Sequence, residues 1–381
     1  MRRTQEGERP SADRTPRVLI VEPAASGGLA AHVRMERAVL AQAGVELPEA
    51  GVRISSRPAP ADVRTVRTLR ERMRASGVRA TVDAVHAHGL RAGALAALAR
   101  GPRGRGPRLV VTLHNRVVGP RAVRAMGRLL LRVVRSRADA VLTVSPDLDP
   151  LVRGVPEVEH ALIPALPGPE AHAAARVTAP DASADPDRDE PGEPVEPVEP
   201  DEPGVLDVLV VARLAPQKGL DDLLDALGLL VAEAVPAAPG LRVRIAGDGP
   251  LASHLSGRIR AEHLPVELLG RREDVPDLLA DCDLVVSSAL WEGQPVFLQE
   301  ALRAGRAIVA TDAGGTRLVT GRTAHLVPVG DPAALARAIT SLREEEARRS
   351  AERASRERSH ELSGPDDLLA QLTQVLRISL R

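Results

Sequence analysis

Short, continuous apolar runs alternate along this chain with longer amphipathic stretches. RVLIVE (17–22) leads through the small-residue loop PAASGG into an amphipathic stretch from Leu29 to Ala43. The alternation continues with strand-like DAVHAH (83–88) and helix-like 91–100, then RLVVTL (108–113) and helix-like 121–137, then DAVLTV (139–144). Continuous apolar runs, in place of period-two alternation, fit strands covered on both faces. The pattern predicts a parallel sheet flanked by helices on both sides.

Residues 164–204 break the rhythm. The segment PDASADPDRDEPGEPVEPVEPDEPG is dense in Pro, Asp and Glu, cannot bury a core, and reads as an extended, disordered linker. The alternation then restarts: VLDVLVVA (205–212), helix 219–232, LRVRIAG (241–247), VELLG (266–270), DLVVSS (283–288), helix 296–304 and AIVAT (307–311). A charged helix at 332–358 and a final helical stretch at 364–379 follow. The expected organisation is a tail (1–16), a first α/β domain (17–163), the linker (164–204), a second α/β domain (205–363) and a C-terminal helix (364–381). Two doubly wound domains of this kind are expected to place a ligand between them, at the carboxyl ends of their strands.

Composition narrows the function classes. The polar N-terminus has no apolar core of a secretion signal, and no run of ~18 apolar residues reads as a membrane span; the expected location is cytoplasmic, or peripheral at the inner membrane face. The single cysteine, Cys282, excludes an internal disulfide and reads as inert core. Net charge is zero but uneven: 28 Arg against 15 acidic residues in 1–166 (+13), −9 in 167–204 and −4 in the remainder. A basic first domain suits an anionic partner. With one Trp, one Phe and no Tyr there is almost no stacking platform, which argues against nucleic acid.

Of 51 basic residues only Lys218 is Lys, and it lies with Arg213 in VARLAPQKGL, between a strand and a helix. Two cations at the carboxyl end of a strand, beside a helix start, can hold a diphosphate without a metal. The plain alternative, a solvated loop in an Arg-rich chain, explains Arg213 but not Lys218. Downstream, WEGQPVFLQE (291–300) holds the chain's only Trp and only Phe beside two carboxylates, Glu292 in a loop and Glu300 in the following helix. Eight positions along a helical path would bring the two toward one side, and carboxylates accept well from sugar hydroxyls. A capping carboxylate plus a surface glutamate is the plain alternative. Gly27 and Gly28, opening the first helix, are a weak signal for an anion or a tight turn.

These segments resemble the family-four retaining glycosyltransferases, whose fold is GT-B, two Rossmann-like domains facing a cleft. WEGQPVFLQE matches their Glu-x7-Glu motif and VARLAPQKGL their Arg…Lys-Gly motif; RIAGDGPL, VELLGRREDVPDLL and ATDAGG follow in family order, as SGGLAAH, VHAHG, VTLHN and LTVSPDL do in the first half. The resemblance implies that Arg213 and Lys218 neutralise the donor diphosphate, that Glu292 binds the donor sugar near its reacting carbon, and that Glu300 binds the ribose. It implies that the backbone of Gly293, Gln294, Pro295 and Val296 holds sugar hydroxyls, that Gly247 and Arg271 border the nucleotide, that His114 faces the sugar, and that Gly28 approaches the diphosphate. The implied activity is metal-independent hexosyl transfer with retention, from a nucleotide sugar as substrate, with no cofactor. Leu318, Thr323-Ala324 and Gln294-Pro295 depart from the family's commoner residues and bear on sugar choice.

His86 and His88 share one face of a strand end, but no third ligand stands at a zinc-like spacing, so substrate contact or structure is favoured over a metal. Arg121, Arg124, Arg128, Arg132 and Arg135 form a basic helix face opposite Leu130 and Val133-Val134. It reads as a solvated face or as peripheral contact with an anionic membrane carrying a lipid-linked or cell-envelope glycan acceptor. A nucleotide-sugar 2-epimerase and a catalytically silent GT-B regulator are the competing readings.

Overall fold

The computed structural model describes residues 14–24, 28–55, 60–74, 82–165, 205–232 and 240–380. The N-terminal tail to residue 13, Gly27, and the acidic tract from residue 166 to 204 lie outside the described residues. The chain divides into two units: Met1–Val144, Leu148–Leu162 and Pro365–Arg381 form one, and Ser145–Asp147 with Ile163–Gly364 the other.

The first unit is built on five parallel strands in the order β1-β2-β3-β4-β5: β1 (Val18–Val21), β2 (Ala84–His88), β3 (Arg108–Leu113), β4 (Ala140–Thr143) and β5 (Glu157–His160). The first four are wholly or almost wholly buried, which is why their sequences are rich in Val, Leu, Ile and Ala, with His86, His88, Thr112 and Thr143 buried among them. The other side of β1 carries two isolated parallel bridges, Arg17 to Glu46 and Pro23 to Ile54. Connections run through α1 (Gly28–Gln42), α2 (Asp62–Arg74), α3 (Leu90–Arg100) and α4 (Arg121–Arg137). Gly93 lets α3 lie against β3, since a Cβ there would stand 2.4 Å from a Val111 methyl.

The second unit holds six parallel strands in the order β11-β10-β9-β6-β7-β8. They are β6 (Leu206–Val211), β7 (Leu241–Ala246), β8 (Val266–Gly270), β9 (Leu284–Ser287), β10 (Ala307–Thr311) and β11 (His325–Val327). The helices are α5 (Leu220–Ala232), α6 (Ala252–Ala261), α7 (Val275–Asp281), α8 (Val296–Arg303), α9 (Thr316–Thr320), α10 (Pro332–Ser341) and α11 (Glu345–Ser359). Read in chain order from β6, this is the 3-2-1-4-5-6 arrangement of a dinucleotide-binding sheet, and the order reverses between β6 and β9. Cores lie on both faces, one around Leu220, Leu223, Leu227 and Ile339, the other around Leu279, Cys282, Leu298 and Leu302.

The last helix, α12 (Pro365–Leu376), returns to the first unit. It buries Leu368, Leu372, Val375 and Leu376, a helical stripe, near α1, β2 and β3. Gln371 fastens it at two points, donating to the His160 carbonyl (2.8 Å) and accepting from the Leu162 amide (2.9 Å).

Three expectations need correction. The charged stretch 332–358 is two helices, Pro332–Ser341 and Glu345–Ser359, with the fully buried Leu342 in the break between them. The basic helix α4 has the expected exposed Arg face, but its other residues are not all covered: only Gly127 and Val134 are buried, while Val123, Met126 and Leu129 are exposed. Finally, Glu292 does not share a helical path with Glu300, because Pro295 is extended (φ −69°, ψ 106°) and α8 begins only at Val296.

Candidate active site

The reversal between β6 and β9 puts two loops side by side at the carboxyl ends of the strands, where open α/β sheets bind ligands. The loop after β6 ends in a tight 3-10 turn, Pro216–Lys218, closed by Gly219 in the left-handed region (φ 59°). A Cβ on Gly219 would stand 2.1 Å from the Ser288 carbonyl oxygen, so only glycine lets the two loops meet. Two hydrogen bonds lace them: Ser288 Oγ donates to the Lys218 carbonyl (3.0 Å) and the Leu290 amide to the Gln217 carbonyl (2.9 Å). The result is an ion pair between Lys218 Nζ and Glu292 Oε1, both partly shielded from solvent.

The turn after β10 supports Glu292 from behind. The Gly315 amide donates to the Glu292 carbonyl (3.0 Å), and Gly314 (φ 55°) approaches so closely that a Cβ would lie 1.9 Å from that oxygen. Gly247 plays a similar part after β7, where a Cβ would lie 1.9 Å from the Ala212 carbonyl oxygen. Arg213 is exposed at the carboxyl end of β6, and Arg271 is exposed directly after β8.

The chain's two large aromatics serve this region structurally. Trp291 Nε1 donates to Asp147 (2.9 Å), and Phe297 packs against the core under α8. Gln294 accepts from the Ile163 amide (3.3 Å), and Gln299 bonds the same strap, accepting from the Ala165 amide (3.0 Å) and donating to the Ile163 carbonyl (2.7 Å). Glu300 lies on α8, where its carbonyl accepts from the Ala304 amide (2.9 Å) while its carboxylate makes no hydrogen bond among the described residues. Burial pushes its carboxyl up to about 7, against the opposing pull of the Arg303 charge.

In the first unit, Gly28 is the exposed first residue of α1, and a Cβ there would meet nothing within 4 Å, so packing does not require the glycine. His114, just beyond β3, is buried. It belongs to a cluster that the sequence did not reveal. His32 and Glu36, one turn apart on α1, meet His86 and His88 of β2, and all four are buried. His86 Nδ1 lies 2.6 Å from Glu36 Oε1 and its Nε2 2.7 Å from the Thr112 hydroxyl; His88 Nδ1 lies 3.2 Å from His114 Nε2. Burial opposes ionisation of Glu36, but the charges of His86 and His88, with the hydrogen bond to His86, outweigh it and hold the carboxyl well below its usual range. Burial pushes the His32 imidazole down to about 3, with the neighbouring His88 adding to the effect, so this ring is neutral near pH 7. Spacing along the chain showed no third donor near His86 and His88, whereas the fold brings His32 and Glu36 beside them. Parallel pairing of β1 with β2 brings α1, and with it His32 and Glu36, to the ends of these strands.

Elsewhere, burial pushes the Cys282 thiol up to about 12, which fits inert core. Among the described residues no helix is long and apolar enough to cross a membrane.

Residues 12–164 match the family model described as Glycosyltransferase Family 4, and residues 206–345 match the model described as Glycosyl transferases group 1. Among curated proteins, the chain is similar to an exopolysaccharide phosphotransferase of Streptomyces coelicolor, 36% identical over 146 residues, or 37% of this chain and 15% of the other. It is also similar to N-acetyl-alpha-D-glucosaminyl L-malate synthase of Bacillus anthracis, 28% identical over 169 residues, 43% of each chain. The chain thus spans less than half the length of either relative. Among solved structures it is similar to HepE of Anabaena in complex with UDP-glucose, with a TM-score of 0.65 over 95% of this chain and 99% of that one at 18% identity, a likeness of fold. The two sheets are those of the GT-B glycosyltransferase fold, and each half of the chain matches the model of a glycosyltransferase domain.

Proposed function

We propose that this chain transfers a hexosyl unit from a nucleoside-diphosphate sugar to an acceptor with retention of configuration, using no metal at the diphosphate. The observation that carries the reading is the Lys218–Glu292 ion pair at the point where the second sheet reverses its order. A carboxylate there, already partnered by a cation, offers acceptor oxygens to sugar hydroxyls, and the cation stands ready to move to an incoming phosphate. Arg213 adds a second positive charge on the same loop.

In the reaction, the bond from the anomeric carbon to the diphosphate oxygen breaks and a bond from that carbon to the acceptor oxygen forms. The acceptor hydroxyl's proton passes to the departing phosphate oxygen. Lys218 and Arg213 stabilise the charge that grows on that phosphate, and Glu292 positions the sugar. Glu300 takes the ribose, and the backbone of Gly293, Gln294, Pro295 and Val296 the sugar hydroxyls. Gly247 and Arg271 border the nucleotide, and Gly28 and His114 are assigned to the donor by the motifs they match.

A uridine diphosphate sugar is the first donor to try, since HepE is solved with UDP-glucose. The Streptomyces relative's name points to exopolysaccharide as the acceptor class. We assign α4 to an anionic membrane surface, because its Arg stripe lies beside an exposed apolar strip of Val123, Met126 and Leu129. The reading is tested by whether purified protein, given acceptor, releases nucleoside diphosphate from one of a panel of sugar nucleotides.

A further inference from the structure

We propose that His32, Glu36 and His88 form a metal site in the first unit, and that its ligand chemistry suits zinc. The three residues are 4%, 0% and 0% exposed, and each offers a ligand atom within 4.8 Å of the other two. His32 Nδ1, Glu36 Oε2 and His88 Nε2 are all buried without a hydrogen-bond partner. Glu36 Oε2 and His88 Nε2 are 3.0 Å apart, yet their angles do not make a hydrogen bond. One orphaned buried polar atom is uncommon; three on neighbouring side chains that converge on one place call for something between them.

Chemistry favours a cation as that occupant. A fully buried carboxylate needs positive charge beside it, and a cation between His32, Glu36 and His88 would supply it. Neutral imidazoles and a carboxylate are ligands of Zn²⁺, which takes nitrogen and oxygen donors at about 2.0–2.2 Å; neighbouring donors in a tetrahedron then stand roughly 3.4 Å apart. The spacings in the cluster, from 3.0 Å between Glu36 Oε2 and His88 Nε2 to at most 4.8 Å, bracket that value. Two imidazoles and one carboxylate leave a coordination position open for water.

The surroundings are those of a ligand set held from outside. His86 fixes Glu36 through Oε1, and Thr112 fixes His86 in turn. His88, with Nε2 on the metal, must carry its proton on Nδ1 and donate it to His114 Nε2. His114 then keeps its own proton on Nδ1. Without a metal, His88 would turn an Nε2 proton toward Glu36, and His114 would donate from Nε2, the opposite tautomer. An ion here would therefore set the state of a ring to which we assign a role in transfer, from a site separate from the one holding the diphosphate.

The full chain, stripped with chelator and desalted, is titrated with Zn²⁺ and with Co²⁺. About one equivalent of zinc is expected to survive desalting by elemental analysis. Cobalt should give visible ligand-field bands without a thiolate charge-transfer band, since the only cysteine is buried in the other unit. Zinc should raise the melting temperature of the stripped protein. His32→Ala and Glu36→Gln should each lose the equivalent; where a variant does not fold, the wild-type cobalt spectrum decides alone. Failure of the stripped wild type to take up zinc or cobalt, with no thermal shift, overturns the proposal and leaves a buried water in the cluster. A folded His32→Ala variant that keeps the full equivalent and the same cobalt bands also overturns it, because the ion would lie elsewhere.

Discussion

The chain's one lysine rests on Glu292: Lys218 Nζ, at the end of the loop after β6, pairs with Glu292 Oε1, in the loop after β9. The two loops meet because β6 and β9 are neighbours at the reversal of strand order, and because Gly219 leaves room for the Ser288 carbonyl. In an Arg-rich chain, the lone Lys places a compact ammonium, in place of a planar guanidinium, on one carboxylate oxygen. Lys218→Ala should weaken nucleoside diphosphate binding by about 1.5–3 kcal/mol, roughly ten- to a hundredfold, and Lys218→Arg should not restore it. Calorimetric titration checks this, and unchanged affinity in Lys218→Ala would remove the residue from the diphosphate.

Gly314 is the most exacting position behind Glu292. It combines a positive φ of 55° with a Cβ position 1.9 Å from the Glu292 carbonyl oxygen. Gly314→Ala should destabilise the fold by roughly 2 kcal/mol or more in urea denaturation and lower turnover by displacing Glu292. Gly28→Ala, with open space around its Cβ, should leave stability nearly unchanged.

The strands were legible wherever burial on both faces left an unbroken apolar run; RLVVTL and AIVAT coincide with β3 and β10. Elements with mixed surfaces were not. The helix α2 is dominated by Arg and shows its buried face only through Thr65, Leu69 and Met73, while β5, EVEH, is a half-exposed edge strand with no apolar run. Within the second unit the loops after β6 and β9 could be read as a site because each carries a local motif. The histidine cluster could not. Its members come from α1, β2 and the segment after β3, 26 and 50 residues apart along the chain, and they meet only through parallel pairing. The one local signal was His32 and Glu36 on a single helical face.

Glu300 carries a pH signature. Burial raises its carboxyl from an ordinary 4.5 to about 7, so the folded chain holds this proton more tightly than the unfolded one. The associated stability is intact below about pH 4.5, declines as pH rises, and is lost above about 7; the total is at most about 3 kcal/mol. Glu300→Gln should flatten the stability profile between pH 5 and 8 and raise stability at the alkaline end. A profile in Glu300→Gln identical to that of the wild type would show that the group titrates normally.

At the first unit's surface, Arg124, Arg128 and Arg132 of α4 should each contribute about 1 kcal/mol to binding an acidic bilayer, fading beyond a Debye length of ~8 Å at physiological salt. Co-sedimentation with phosphatidylglycerol vesicles should be strong at low salt, weak at high salt, and absent with phosphatidylcholine. Arg124→Glu with Arg128→Glu should abolish it. If the wild-type chain ignores anionic vesicles even at low salt, α4 is a solvated face and the acceptor is better sought in solution.

The account rests most heavily on sugar transfer through the Lys218–Glu292 pair, and turnover measures it directly. Wild-type protein, offered a panel of sugar nucleotides with cell-envelope glycan acceptors, should release nucleoside diphosphate from one of them and glycosylate the acceptor with the donor's anomeric configuration. Lys218→Ala and Glu292→Gln, folded by circular dichroism, should each lose about 10²-fold or more in kcat. Wild-type rates in both variants, or inversion at the anomeric carbon, would contradict it.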